Sequence, residues 1–278
     1  METSNLTKKR IKDYLESGKR FDSRKPLEYR DIDIEIGISK NAEGSARVRI
    51  GKTEVVAGVK MDVGTPYPDH EEEGTMMTTL ELLPLSSDEF EYGPPRINAI
   101  EMARIIDRGI RESGFIDFKK LCIKKGEKVW TVFIDIYSIN NDGNLLDASA
   151  LAAVVALLTA KMPKYDEKTE RVKYGEFTSK GIPLGDSAPL NFTFHKIGKE
   201  ILLDPGREEE SVSEARISVA MTENDKKEIL INALQKGGVS AFSEEELMNI
   251  FEMAEKKYKE MIKEITSKIE KNSKKKSK

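Results

Sequence analysis

The sequence predicts an α+β protein of two halves that repeat one order of elements, strands followed by a helix, with a long helix at the C-terminal end. Three observations carry this. Strand patterns fill residues 30 to 81 and return at LNFTFHKI, EILLD, EARISVAMT and EILINAL. A helix from Asp147 closes the first set, and SEEELMNIFEMAEKKYKEMIKEITSKIEK closes the second. Between them, KMPKYDEKTERVKYGEFTSKG (161 to 181) is polar and without period, as suits an exposed connection. The repetition is one of element order, with no repeat at the level of residues.

In chain order, LTKKRIKDYLESG places Leu6, Ile11, Tyr14 and Leu15 near helical spacing, and Gly18 can supply the left-handed stop of a short docking helix. RDIDIEIG alternates charged and apolar residues, and residues 45 to 64 read as two strands joined around Gly51. PYPDHEEEG (66 to 74) is a solvated acidic loop, and a strand resumes at Thr75. NAIEMARIIDRGIRESG suits a helix with Asn98 as N-cap, Glu101 three residues on, and Ile100, Ala103, Ile106 and Ile110 on one stripe. KVWTVFIDIYSIN (128 to 140) is a largely apolar strand. In the last helix Ser243 and Glu246 form a capping box ahead of an apolar stripe running from Leu247 through Tyr258 to Ile269. The resulting division is a first half with its docking helix (1–160), a polar connection (161–187), a second half with its C-terminal helix (188–271) and a disordered basic tail (272–278).

Composition narrows the function. The 278 residues can bury a core without cross-links, and the single cysteine, Cys122, forbids an intramolecular disulfide. No N-terminal run reads as a signal peptide and no segment is apolar enough to span a bilayer, so a cytoplasmic protein without membrane partners is expected. Charged residues make up 34% of the chain yet nearly cancel, to a net of −3, so any nucleic-acid site must be local. His70 and His195 have no second ligand nearby in sequence, and no metal or cofactor is expected. Cys122 reads as a small buried residue and Trp130 as core.

NDGNLLDASALAAVVALL (141 to 158) has the strand, glycine turn and helix of a phosphate site. The cation is missing. Asn144, Leu145 and Leu146 supply no positive charge, and Asp147 stands where an N-cap side chain would occupy the first-turn amides and repel a phosphate.

Asp142-Gly143 with the helix after it resembles the Gln-Ala-Asp-Gly-Gly-Thr-Arg segment of RNase PH family enzymes, in which Gly-Thr/Ser-Arg binds the phosphate used for phosphorolysis. RFDSRKPLEYR, with Arg20, Asp22, Arg24 and Arg30, is similar to that family's Arg-x-Asp-Gly-Arg motif, with Ser23 in place of its glycine. Active members carry two aspartates in Asp-Ser-x-x-x-Val-Asp; EESVSEARISVAMT puts Glu210 at the first and Arg216 at the second. Active members also place paired arginines where Ile97 and Asn98 stand. With Leu146, Glu210 and Arg216 at these positions, the chain resembles the non-catalytic RNase PH-like subunit of the archaeal exosome core ring. The resemblance implies the RNase PH fold and a 3:3 hexameric ring with a catalytic RNase PH-like partner, topped by RNA-binding cap subunits. It also implies a share in 3′ to 5′ phosphorolysis of single-stranded RNA whose chemistry belongs to that partner.

Arg104, Arg108 and Arg111 have i, i+4, i+7 spacing and line one helix face, a ridge that could meet RNA phosphates. Glu101, Asp107 and Glu112 are near enough to neutralise it in surface salt bridges. The resemblance favours RNA contact for Arg104 and leaves Arg108 and Arg111 open between RNA and a pair across the subunit interface. Two rivals differ in class. One is an autonomous phosphate-dependent 3′–5′ exoribonuclease, which needs a cation near Asp142, for instance from the connection after residue 161. The other is a stand-alone RNA-binding module, which would bind RNA as a monomer.

Overall fold

A computed structural model describes residues 4–276, with side chains to residue 272. Helix α1 (Asn5–Glu16) starts on Ser4, whose hydroxyl accepts from the Thr7 amide. Its buried face is only Ile11 and Leu15, which join Ile197, Leu202 and Val212 of the second half in a small cluster, while Leu6 and Tyr14 stay exposed. The first sheet runs in the order β1 (Ile32–Ile36), β2 (Gly44–Ile50), β3 (Thr53–Gly64), β6 (Lys128–Asn140), β4 (Thr75–Glu81), with the short β5 (Cys122–Lys124) also on β6. All neighbours are antiparallel except β4 and β6. The second sheet runs β10 (Glu200–Leu203), β9 (Leu190–Ile197), β11 (Ala215–Glu223), β12 (Ile229–Gly238), all antiparallel.

Helix α3 (Leu145–Thr159) contacts both sheets, lying on β2 and β3 of the first and β9 of the second. Thirteen residues in a row, Leu145 to Leu157, are buried, so the helix needs apolar residues on every side and shows no amphipathic stripe. Gly44 lets β2 approach its C-terminal end: a Cβ there would meet the Ala156 carbonyl oxygen at 2.2 Å.

Helix α2 (Ile97–Arg111) departs from the sequence reading at its start. Its N-cap is Arg96, with no side-chain cap, and not Asn98, because Pro94-Pro95 hold the chain extended up to Arg96 and the helix begins once they end. The buried stripe is Ala99, Ala103, Ile106 and Ile110, so Ile100 faces outward, 45% exposed.

Residues 161 to 181 are exposed as expected but not irregular. β7 (Lys161–Asp166) and β8 (Arg171–Gly181) form an antiparallel hairpin, and since most of β8 faces solvent, burial imposes no alternation on its sequence. A five-residue helix, α4 (Arg207–Ser211), precedes β11. The last helix, α5 (Glu244–Lys276), keeps its capping box: the Ser243 hydroxyl accepts from the Glu246 amide (3.1 Å) and the Glu246 carboxylate from the Ser243 amide (2.8 Å). Ile250, Ala254, Tyr258, Met261 and Ile265 form its buried stripe. Beyond the last buried turn, Lys268 and Asn272 donate to the Ile32 and Ile34 carbonyls, closing part of the open edge of β1. The helix continues to Lys276, into the tail expected to be disordered, as a nucleated helix propagates readily through lysines; residues 277 and 278 of that tail lie outside the described residues.

Candidate functional site at the junction of the halves and along helix α2

Three arginines from the segment after α1 fasten the two halves together. Arg20, with a fully buried side chain, donates to Glu209 through Nε (2.9 Å) and Nη2 (2.5 Å), and to the Leu203 and Asp204 carbonyls. Arg30 donates to Asp204 through Nε (2.9 Å) and Nη2 (2.7 Å), while Arg24 reaches the same carboxylate at 2.9 Å. Burial alone would raise the pKa of Asp204, but the Arg30 hydrogen bonds and charge hold it below the ordinary value. Arg30 also donates to the Asp142 and Gly143 carbonyls at 2.7 and 3.0 Å, which fixes the turn before α3. Gly143, at φ +90°, is required there: a Cβ would lie 2.6 Å from the Pro205 carbonyl oxygen.

One backbone amide at the head of α3 is paired from within the chain. Asn144 is the N-cap residue, at φ +56° and without a side-chain cap, and its amide donates to Glu210 Oε2 at 3.3 Å. Asp147 is therefore not the N-cap expected from sequence. The helix starts earlier, at Leu145, and the Asp147 carboxylate turns into the junction, accepting from Thr193 Oγ1 (2.7 Å), the Thr193 amide (3.1 Å), Tyr29 Oη (2.6 Å) and Asn144 Nδ2 (3.0 Å). Burial pushes its pKa up to about 6, against the lowering effect of those hydrogen bonds.

In front of this turn is a cavity of about 800 Å³. Its walls bring together residues far apart in sequence: Asn98 and Glu101 of α2, Asn141 and Leu145, and Glu210 and Arg216. Five carboxylates (Asp88, Glu89, Glu101, Glu208, Glu210) face two arginines, and both arginines are paired. Arg216 Nη2 donates to Glu101 Oε1 at 2.8 Å; Arg207 pairs with Asp88 and lies 3.7 Å from Glu89. Burial raises the Glu210 pKa, opposed by the Asn144 amide and by Arg216 and Arg30. Such a lining repels phosphate. Leu146 is buried in the core, and no residue of the 161–181 connection lines the cavity. Arg30 is the cation beside Asp142, at 3.5 Å, but its guanidinium is committed to Asp204.

The three predicted arginines of α2 differ. Arg104 is exposed, with no ion pair among the described residues. Arg108, with a side chain 61% exposed, lies 3.3 Å from Glu112. Arg111 is held by Asp107 through two 2.9 Å hydrogen bonds and by the Met76 carbonyl, and its guanidinium lies over the Phe118 ring. Arg104 and Arg108 line a groove of about 540 Å³ between α2 and residues 232–235 of β12, and Arg111 does not reach it. Sequence spacing gave the shared helix face but not this split, because the partners of Arg111 include a strand carbonyl 35 residues away.

The remaining candidates are scattered. His70 pairs with Glu73 in the exposed acidic loop; His195 is buried, and burial together with the Arg216 charge lowers its pKa to about 3. No group of metal-ligating residues occurs among the described residues, nor any helix long and apolar enough to cross a membrane. Trp130 is in the core, edge-on to Tyr165, while Cys122 is half-buried, not buried as expected, because β5 is a short edge strand.

Against known proteins, residues 28–163 match the 3′ exoribonuclease family, domain 1 (RNase PH), and residues 188–257 match domain 2 of the same family. The exosome complex component Rrp42 of Methanosarcina acetivorans is 43% identical over 93% of this chain and 92% of its own length. The component of the same name from Thermococcus gammatolerans is 45% identical over 93% of each chain. Among solved structures, a chain of the Archaeoglobus fulgidus exosome with RNA bound to the active site matches with a TM-score of 0.84 at 38% identity, covering 94% of this chain and 98% of that one.

Proposed function

The chain belongs to the 3′ exoribonuclease (RNase PH) family, and on that premise we propose that it is a non-catalytic, structural and RNA-contacting subunit of an exosome that degrades RNA from its 3′ end by phosphorolysis. The observation that carries this reading is the acid-lined cavity at the head of α3. Phosphorolysis needs a bound phosphate and a way to stabilise charge developing on it, and a site whose carboxylates outnumber its already paired arginines offers neither. The Asn144 to Leu146 segment, Glu210 and Arg216 stand where the resemblance places the phosphate-binding residues and carboxylates of active members. The catalytic step therefore falls to a family member that alternates with this chain in a 3:3 ring, capped by RNA-binding subunits, in the cytoplasm.

What this chain contributes beyond assembly is positive charge on α2. Arg104 and Arg108 present their guanidinium groups along a groove, and phosphate contacts of this kind add affinity without sequence preference. Arg111 is positioned to shape the helix surface and not to reach RNA. In the assembled complex, Arg104→Ala should leave ring mass unchanged, weaken binding of single-stranded RNA and lower the slope of log affinity against log salt by about one. Binding and slope equal to wild type would remove Arg104 from the RNA path.

A further inference from the structure

We propose that a crevice beside Tyr92 holds one unstacked nucleobase of the RNA strand, an inference that rests on the reading of α2 as an RNA-bearing surface. Residues 82–96 form a long loop between β4 and α2, and Tyr92 near its end is 97% exposed. A side chain of that size left wholly in solvent is unusual for a folded surface. Gly93 adopts φ +145°, which only glycine takes readily, and Pro94-Pro95 fix the backbone that follows.

Tyr92 borders a crevice of about 200 Å³ whose other walls include Leu82, Leu83, Phe90, Pro94 and Pro95. That volume admits one planar group and is too small for a helix or a strand of a protein partner. Its apolar walls suit a base face, while at its border Glu81, Glu89 and Glu91 outnumber Arg96, which is paired with Glu91, and so disfavour phosphate. Backbone charge is met nearby. Asn98 and Ala99 of α2 line the same crevice, and from Ile97 onward Ile100, Arg104 and Arg108 fall within about 80° of one another around the helix, a stripe about 16 Å long. Asn98 lies about 80° around the helix from Arg108, so a strand with its phosphates along Arg104 and Arg108 turns around the N-terminal end of α2 to reach the crevice, where stacking on Tyr92 accepts any base.

The test uses the complete complex of this chain with its catalytic family partner, phosphate-free buffer, and a fluorescent single-stranded oligoadenylate, with anisotropy read over a salt series. Tyr92→Ala should weaken binding about fivefold or more with the salt slope unchanged, since stacking releases no counterions. Tyr92→Phe should bind like wild type. If Tyr92→Ala binds like wild type while Arg104→Ala is weakened, the crevice is no base site although α2 still carries RNA. If neither variant is weakened, both readings fall. Loss of the assembled ring in Tyr92→Ala would make the residue a protein contact and overturn the proposal.

Discussion

The carboxylate of Glu210 accepts from the Asn144 amide at the head of α3, which sets a carboxylate beside the position where an anion would otherwise meet a helix N-terminus. Other single residues at the junction are equally committed. Asp204 serves Arg24, Arg30 and Asn144 at once, and Asp147 accepts four hydrogen bonds from both halves. His195 is 2% exposed with neither ring nitrogen bonded among the described residues, and its pKa is lowered from 6.5 to about 3 by burial and by Arg216. Since the folded value lies below the unfolded one, its contribution to stability is complete above about pH 6.5. It is lost as pH falls toward about 3, at up to about 1.4 kcal/mol per pH unit. Unfolding free energies of wild type and His195→Leu, measured by urea at several values from about pH 7 to about pH 5, should diverge in favour of the variant as pH falls. Parallel curves would show that His195 is not held neutral.

At the scale of elements, helix α5 packs on β9 and β11 of the second half and on β1 of the first, and its start is set locally. Ser243→Ala removes the hydroxyl that accepts from the Glu246 amide and should lower stability by about 1 kcal/mol in urea unfolding while leaving RNA binding unchanged. That capping box was readable in the sequence because all its partners lie within one turn, and the limits of β6 were readable because its apolar run is long. The β7–β8 hairpin was hidden because most of β8 faces solvent and leaves no period to detect. The start of α2 was misread for a different reason: Asn98 and Glu101 mimic a capping box, but Pro94-Pro95 already deliver the chain into the helix at Ile97. The site is a mixed case. The missing cation at 144–146 was legible, whereas the Arg20–Glu209 and Arg30–Asp204 pairs, 189 and 174 residues apart, could be seen only in the fold. So could the five carboxylates of the cavity, which come from separate segments.

For the whole molecule, the two main sheets are joined through one buried helix and one polar junction, and on the reading proposed above RNA runs along α2. On that proposal affinity for RNA and the chemistry on RNA are separated, with phosphates held at Arg104 and none in the acid-lined cavity. The most direct measurement is phosphate-dependent shortening of a 3′ single-stranded RNA by the purified chain alone, repeated after mixing with the catalytic family partner from the same source. No nucleoside diphosphate from the chain alone, and robust release only from the mixed ring, is the predicted result. Release of nucleoside diphosphates by the chain alone, undiminished by further purification, would contradict it and make this chain an enzyme in its own right.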